Sequence, residues 1–180
     1  MAESAQGRRV LVALVTGSAG KRIQAWRTEN DPVQAVRLPP HATLCYWLPS
    51  ELDMAEIGAQ VRHAFPVAIP VRLGQVHEFD NVDRTFYVDV QGTDALDAAR
   101  ERLFDGAHVE LPAKDRHWTW HVTCIRKSVG KNVGELRLRA RELVLDTEWV
   151  VDTIACLELR DGRYHEVRTW TLEPANVPHS

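Results

Sequence analysis

Two stretches of the chain, HATL at residues 41–44 and HVTC at 121–124, each set a histidine two residues ahead of a threonine and run on into apolar residues. Side chains alternate faces along a β-strand, so the His and Thr of each stretch share one face, about 6.5–7 Å apart. Ala42 and Leu44, and likewise Val122 and Cys124, then turn to the opposite, core-forming face. A polar pair on such a strand must meet hydrogen-bond partners, water or a ligand. An imidazole with an ordinary pKa near 6.5 exchanges protons at neutral pH, and a hydroxyl beside it can hold an anionic oxygen. Two such pairs could divide the work of in-line displacement at phosphorus. One imidazole takes a proton from the attacking oxygen, the other gives one to the departing oxygen, and the hydroxyls hold the nonbridging oxygens. The bland alternative is a pair of edge histidines satisfied by their own neighbours.

His-x-Thr occurs a third time, as His117–Thr119. On a continuous strand His117 would share the face of His121 about 13 Å further back, so only one of them can oppose His41 in a compact site. His121 is the better candidate, because an apolar run and Arg126 follow it, and His117 is assigned to the rim. From Lys114 to Lys131 five bases face the single acid Asp115, in a chain whose net charge is −3. That local excess fits an anionic ligand met at one place, or a solvated loop. The overall balance argues against a protein that coats nucleic acid by bulk electrostatics.

With 180 residues, 44% hydrophobic and 26% charged, the chain has an ordinary soluble composition. It can bury one substantial core, or form two small lobes sharing a sheet. No apolar run approaches the ~20 residues of a membrane span. VLVALV at 10–15 lacks the length and cleavage pattern of a signal peptide, so a cytoplasmic protein without a membrane partner is expected. Cys45, Cys124 and Cys156 are odd in number and widely spaced, and read as small buried hydrophobes. GSAGK at 17–21 lacks the spacing and the final hydroxyl of a phosphate loop. Two histidines without a third ligand make a weak metal site, and neither metal nor other cofactor is expected.

Residues 1–7 and 174–180 read as tails around one domain at 8–173. RRVLVALV (8–15) is a buried strand, and GSAGKRIQAWRTEND (17–31) a turn and short helix stopped at the Asp31–Pro32 step. PPHATLCYWL (39–48) is a strand that prolines can open but not interrupt. Residues 49–65 form a helix with Ser50 as N-cap and Met54, Ile57, Val61 and Ala64 on one face. Strands at 67–79 and 84–90 flank a DNVD turn, 93–104 is an amphipathic helix capped by Thr93, and 117–126 is a strand. VGELRLRARELVL (133–145) carries both periods and is assigned to helix. TIACLELR and RYHEVRTWTL form a hairpin about Asp161–Gly162. The order β-α-β-α-β-β-α-β-α-β-β, with one His-x-Thr strand in each half, is an α+β domain of two similar lobes.

With HATL in one half and HVTCIR in the other, the chain resembles the two-histidine (2H) phosphoesterases. The likeness is in particular to the LigT-like family of RNA 2′,3′-cyclic phosphodiesterases, also called 2′-5′ RNA ligases. That family's signature is a pair of His-h-[Thr/Ser]-h motifs, h being hydrophobic. They lie on two pseudo-symmetric lobes, each a small antiparallel sheet with flanking helices, around a central cleft. The likeness runs from about Arg8 to Leu172, through the strand–hairpin–strand–helix rhythm of residues 69–103 and the C-terminal hairpin.

The resemblance implies that His41 and His121 are the catalytic acid–base pair. It implies that Thr43 and Thr123 bind the phosphate, with Arg126 either helping or held in a surface salt bridge. The implied reaction is metal-independent hydrolysis of the 2′,3′-cyclic phosphate of an RNA 3′ end or small nucleotide to a 2′-phosphate, with 2′-5′ joining as its reverse. Phe79, Tyr87 and Trp47 are candidate platforms for a stacked base, whereas Trp118 and Trp120 fall opposite His121 and read as core. A monomer is expected. The chain departs from the family at Trp120, where Pro often precedes the second His, and in the extra His117–Thr119. Two rivals keep the cleft and change its use: a non-catalytic binder of RNA ends or nucleotides, and a cyclic phosphodiesterase acting on a small metabolite such as an ADP-ribose derivative.

Overall fold

In a computed structural model, which describes residues 7–112, 118–128, 130–143 and 145–175, eight strands assort into two antiparallel sheets of four. The first sheet takes β1 (Arg9–Leu14), β2 (His41–Leu48), β7 (Thr153–Arg160) and β8 (Arg163–Thr171) in the order β2-β1-β7-β8. The second takes β3 (Ile69–Glu78), β4 (Phe86–Gln91), β5 (His121–Ile125) and β6 (Thr147–Val151) in the order β5-β4-β3-β6. Each His-x-Thr stretch therefore opens an edge strand, and the two edges, β2 and β5, lie against one another where the lobes meet. The chain forms the two-lobed α+β fold that its sequence suggests.

Strand periodicity decides what faces the cleft. Leu11 and Ala13 on β1, like Ala42 and Leu44 on β2, are wholly buried, while Val12 pairs with Thr43 and Leu14 with His41 on the other face. In the second sheet Val88, Val122 and Cys124 are buried, and Tyr87 pairs with Thr123 and Asp89 with His121. The main core runs without a break through both sheets and four helices: those at 17–30 and 133–142, α3 (Met54–Ala64) and α4 (Asp94–Phe104). A smaller cluster, Val10, Val12, Ala155 and Leu157, lies on the cleft side of the first sheet beneath Leu38 and Tyr164. The closing hairpin turns at Asp161 and Gly162, whose φ of 49° and 77° are the left-handed pair that a tight hairpin demands. All three cysteines are buried free thiols, and burial pushes Cys45 and Cys124 up to about 12. No helix among the described residues is long and apolar enough to cross a membrane.

Several elements differ from the sequence reading. The first helix, α1 (Gly17–Asn30), stops at the Asp31–Pro32 step, but the chain restarts at once as α2 (Pro32–Arg37). Proline has helical φ, and its missing N–H is no loss at a first helical position. Ser50 does not cap α3; Asp53 does, accepting the Ala55 N–H at 2.8 Å. Thr93 holds the cap position of α4, yet its hydroxyl meets the Asp97 carboxylate instead of a backbone N–H. β5 starts only at His121, so residues 118–120 are an irregular approach and not strand. Residues 133–142 are helix, α5 (Val133–Glu142), and β6 is an additional edge strand paired with β3. His117, Lys114, Arg116 and nearly all of both tails lie outside the described residues.

The corner between α1 and α2 fastens the lobes together. Asp31 is buried there, and its Oδ2 accepts the Arg126 N–H just past β5 at 3.2 Å, while Oδ1 lies 3.7 Å from Lys131 Nζ. Lys131 also donates to the Asn30 carbonyl at 2.6 Å, and Trp26 Nε1 donates to the Arg139 carbonyl of α5 at 3.4 Å. Removing a buried acceptor strands its donors. Asp31→Ala is therefore expected to lower stability by about 1–3 kcal/mol, and Asp31→Asn, which keeps an acceptor oxygen, by less. Urea unfolding midpoints measure this, and an unchanged midpoint for Asp31→Ala would remove the bracket from the account.

Candidate active site

A cleft of about 360 Å³ opens between the lobes, within the size range of small-ligand sites. His41 and Thr43 line it from the first sheet, His121 and Thr123 from the second. Arg126, one residue beyond β5, lines it too, as do Phe79 and Trp47. Tyr87 is not among the lining residues; its ring stacks on Phe79 at 3.9 Å between centroids and supports it. Phe79 and Tyr87 both present His121 with edge-on contacts, at 5.0 and 5.6 Å. Trp118 and Trp120 serve packing. Trp120 is buried with its indole N–H on Asp97 at 2.6 Å, and Trp118 lies under the Arg100 guanidinium at 3.7 Å.

The two imidazoles are held in the same way. His41 Nδ1 lies 2.7 Å from the Pro39 carbonyl, and His121 Nδ1 lies 2.8 Å from the Thr119 carbonyl. A carbonyl oxygen only accepts, so Nδ1 carries the hydrogen in each ring. Nε2 is left with the exchangeable site in both: a lone pair when the ring is neutral, a second N–H when it is charged. Among the described residues, neither the Thr43 nor the Thr123 hydroxyl has a protein partner, and the Arg126 guanidinium forms no salt bridge. These are groups available to an anion.

Burial sets the electrostatics. Desolvation pushes His41 down to about 4; the Pro39 carbonyl opposes this, and the charges of Arg27 and His121 add to it. His121 is also lowered from the ordinary value, by burial against the opposing pull of the Thr119 carbonyl. That His41 feels His121 at all is the electrostatic sign of two rings facing one space. In the unliganded protein both are neutral at pH 7. An anion between them favours the protonated form and would restore a proton to one.

Several lining residues were not singled out from the sequence. Arg27 is buried, donating to the Gln24 side chain and to the Gln34 and Leu38 carbonyls at 3.2, 2.9 and 2.8 Å. Its signal was present: Arg27 keeps helical phase with Ile23 and Asn30 on the buried face of α1, where a cation needs a reason. Tyr46 and Trp47 are both exposed because Trp47 takes φ 61°, which interrupts strand alternation. That conformation is an outlier for a bulky side chain and leaves no mark in the sequence. Arg37 and Tyr164 also line the cleft, from α2 and β8.

The depressed His41 value has a consequence for stability. The unfolded chain binds a proton at 6.5 that the folded chain refuses until about 4. Stability from this residue is therefore complete above 6.5 and is lost as pH falls from there to about 4, by up to about 3 kcal/mol. Replacing His41 with Gln should flatten that limb of a melting-temperature–pH curve. An unaltered limb would contradict the assignment.

Comparison with known proteins places this geometry. A model of the 2′-5′ RNA ligase superfamily matches residues 16–163. A crystal structure of a phosphoesterase has a TM-score of 0.59 at 17% identity, over 93% of this chain and 99% of the other. E. coli LigT complexed with 3′-AMP has 0.55 at 18%, over 93% and 98%, and LigT complexed with ATP has 0.59 at 14%, over 94% and 99%. No curated relative matches the chain. With two like sheets, a His-x-Thr opening each facing edge and a family match over most of its length, the chain belongs to the 2′-5′ RNA ligase superfamily, among the two-histidine phosphoesterases.

Proposed function

We propose that the protein is a metal-independent phosphodiesterase that opens 2′,3′-cyclic phosphates at RNA 3′ ends or on small nucleotides to 2′-phosphates. One observation carries the reading. Two imidazoles from different lobes, each with Nδ1 tied to a backbone carbonyl and Nε2 free, border one cleft with two uncommitted threonine hydroxyls. LigT, a protein of the same fold, is complexed with 3′-AMP and with ATP, which supports a nucleotide as ligand.

The reaction follows from these groups. A neutral imidazole takes a proton from water at Nε2, and the water oxygen bonds to phosphorus from the side opposite O3′. The P–O3′ bond breaks, and the other imidazole, protonated, gives its Nε2 proton to O3′. Thr43, Thr123 and Arg126 hold the nonbridging oxygens as charge shifts onto them. The proton that leaves the water is matched by the one delivered to the sugar, and the rings exchange roles when the reaction runs towards 2′-5′ joining.

Incubation with adenosine 2′,3′-cyclic phosphate in EDTA tests the proposal. Turnover to the 2′-phosphate is expected, and His41→Ala or His121→Ala should lower it by about 10²–10⁴-fold while product binding survives. Product binding without turnover by the unmodified chain would make the protein a binder instead.

The pH profile supplies a second test. Catalysis needs one ring neutral and one charged, and in the free protein both titrate below 6.5, His41 near 4. The ratio kcat/KM should therefore peak between those limits and fall tenfold per unit on the alkaline side. A profile flat to pH 8 would exclude the pair as acid and base.

A further inference from the structure

The cleft carries more positive charge than one cyclic phosphate uses. Guanidinium groups of Arg27, Arg37 and Arg126 line it, and among the described residues no carboxylate does. A cyclic phosphodiester bears a single negative charge, and Arg126 follows directly on the strand of Thr123 to meet it. Arg27 spends its hydrogen bonds on neutral acceptors, so its charge is not cancelled where it stands. Asp31, whose charge reaches Arg27, is itself engaged by Lys131 and by the Arg126 N–H.

Arg37 is the part of this surplus that the cyclic phosphate leaves unexplained. It ends α2, four residues before His41, so the two Cα atoms are at most about 14 Å apart. Its Nε is shielded from water and has no partner, and among the described residues no carboxylate pairs with it. The guanidinium instead lies over the Tyr164 ring, 5.9 Å from its centroid. Tyr164 belongs to β8, three strand spacings, about 14 Å, across the sheet from β2, and by register it is level with Arg8 of β1 whereas His41 is level with Leu14, about 20 Å further along the strands. Between them the apolar Val10 of β1 lines the floor. The cleft thus has two cationic ends separated by an apolar step. Arg37 and both histidines nevertheless line the same cleft, so a ligand that fills it meets them all.

We propose that Arg37, braced by Tyr164, is a second phosphate subsite that takes the phosphate on the 5′ side of the nucleotide whose cyclic phosphate is opened. The inference rests on the phosphodiesterase reading of the same cleft and ranks substrates with a second phosphate above those with the cyclic phosphate alone. A guanidinium suits this role, since it meets phosphate through paired donors while its face stays on an aromatic ring.

The second phosphate has two sources, a terminal 5′-monoester or the diester of a preceding nucleotide. The test compares kcat/KM for adenosine 2′,3′-cyclic phosphate with the 5′-phosphorylated form and with a dinucleotide ending in the cyclic phosphate. A gain of at least about tenfold is expected for one or both, falling to within twofold in Arg37→Gln and partly kept in Arg37→Lys. Gain with the monoester alone, or with the diester, supports the subsite and names its source. No gain in the unmodified chain, or a gain that Arg37→Gln retains, overturns it while bare cyclic-nucleotide turnover still stands. Calorimetry with adenosine 2′-phosphate and adenosine 2′,5′-bisphosphate reads the same subsite without catalysis. The bisphosphate should bind at least about tenfold tighter, and equal affinities would overturn the inference even if no substrate were turned over.

Discussion

Each imidazole in the cleft is aimed by a carbonyl oxygen two residues upstream, and that contact is possible only where a strand begins. The carbonyl directly before each histidine is already taken by the neighbouring strand: Pro40 O accepts the Val15 N–H at 3.0 Å, and Trp120 O the Val90 N–H at 3.3 Å. One residue earlier the chain has left the ladder, and the carbonyls of Pro39 and Thr119 are free to bend back onto the rings. The two lobes reach this with different residues. Before His41, two prolines restrict the backbone and Arg27 fastens the Leu38 carbonyl. Before His121, Asp97 locks Trp120 and Arg100 caps the Trp118 ring. Trp120 thus does with a buried hydrogen bond what a proline does by stiffness, which accounts for the chain's departure from the family pattern there.

Acid–base division requires that two like residues be made unlike. Here burial lowers both rings first, and their charged and aromatic neighbours differ. His41 feels the buried cation Arg27, whereas the described neighbours of His121 are the edges of Phe79 and Tyr87. The α1–α2 corner adds the Arg27 charge at His41. It sends Arg27 towards β2 and Asp31 towards the end of β5, where it accepts the Arg126 N–H.

What could be read from the sequence was local. Period-2 alternation about Ala42, Leu44, Val122 and Cys124 fixes which way His41, Thr43, His121 and Thr123 point, because a strand with one apolar face has one stable register. Asp161–Gly162 announces its turn because few residues accept two left-handed conformations in succession. What escaped was set by distant partners. Thr147–Val151 is a strand because β3, some seventy residues earlier, has a free edge, and nothing in TEWVV alone requires it. The Asp31–Pro32 step is a stop signal by composition, and only the packing of α1 against α2 shows that it is also a start. Arg27 was not singled out, because what packs against its helix decides which face is buried.

The distance between the imidazoles is a property of the core, since no break in the apolar packing separates the lobes and the Asp31 bracket spans them. A cleft of that kind selects ligands by shape more than by closing on them. Around its rim lie α2, the exposed Tyr46–Trp47 step, and the 79–85 loop pinned by Asn81 on the Thr85 backbone. The four motif residues themselves are positioned by strand starts and the core behind them. The frame therefore separates two tasks: the sheets hold the groups suited to phosphoryl chemistry, and the irregular segments around the rim decide what is attached to the phosphate.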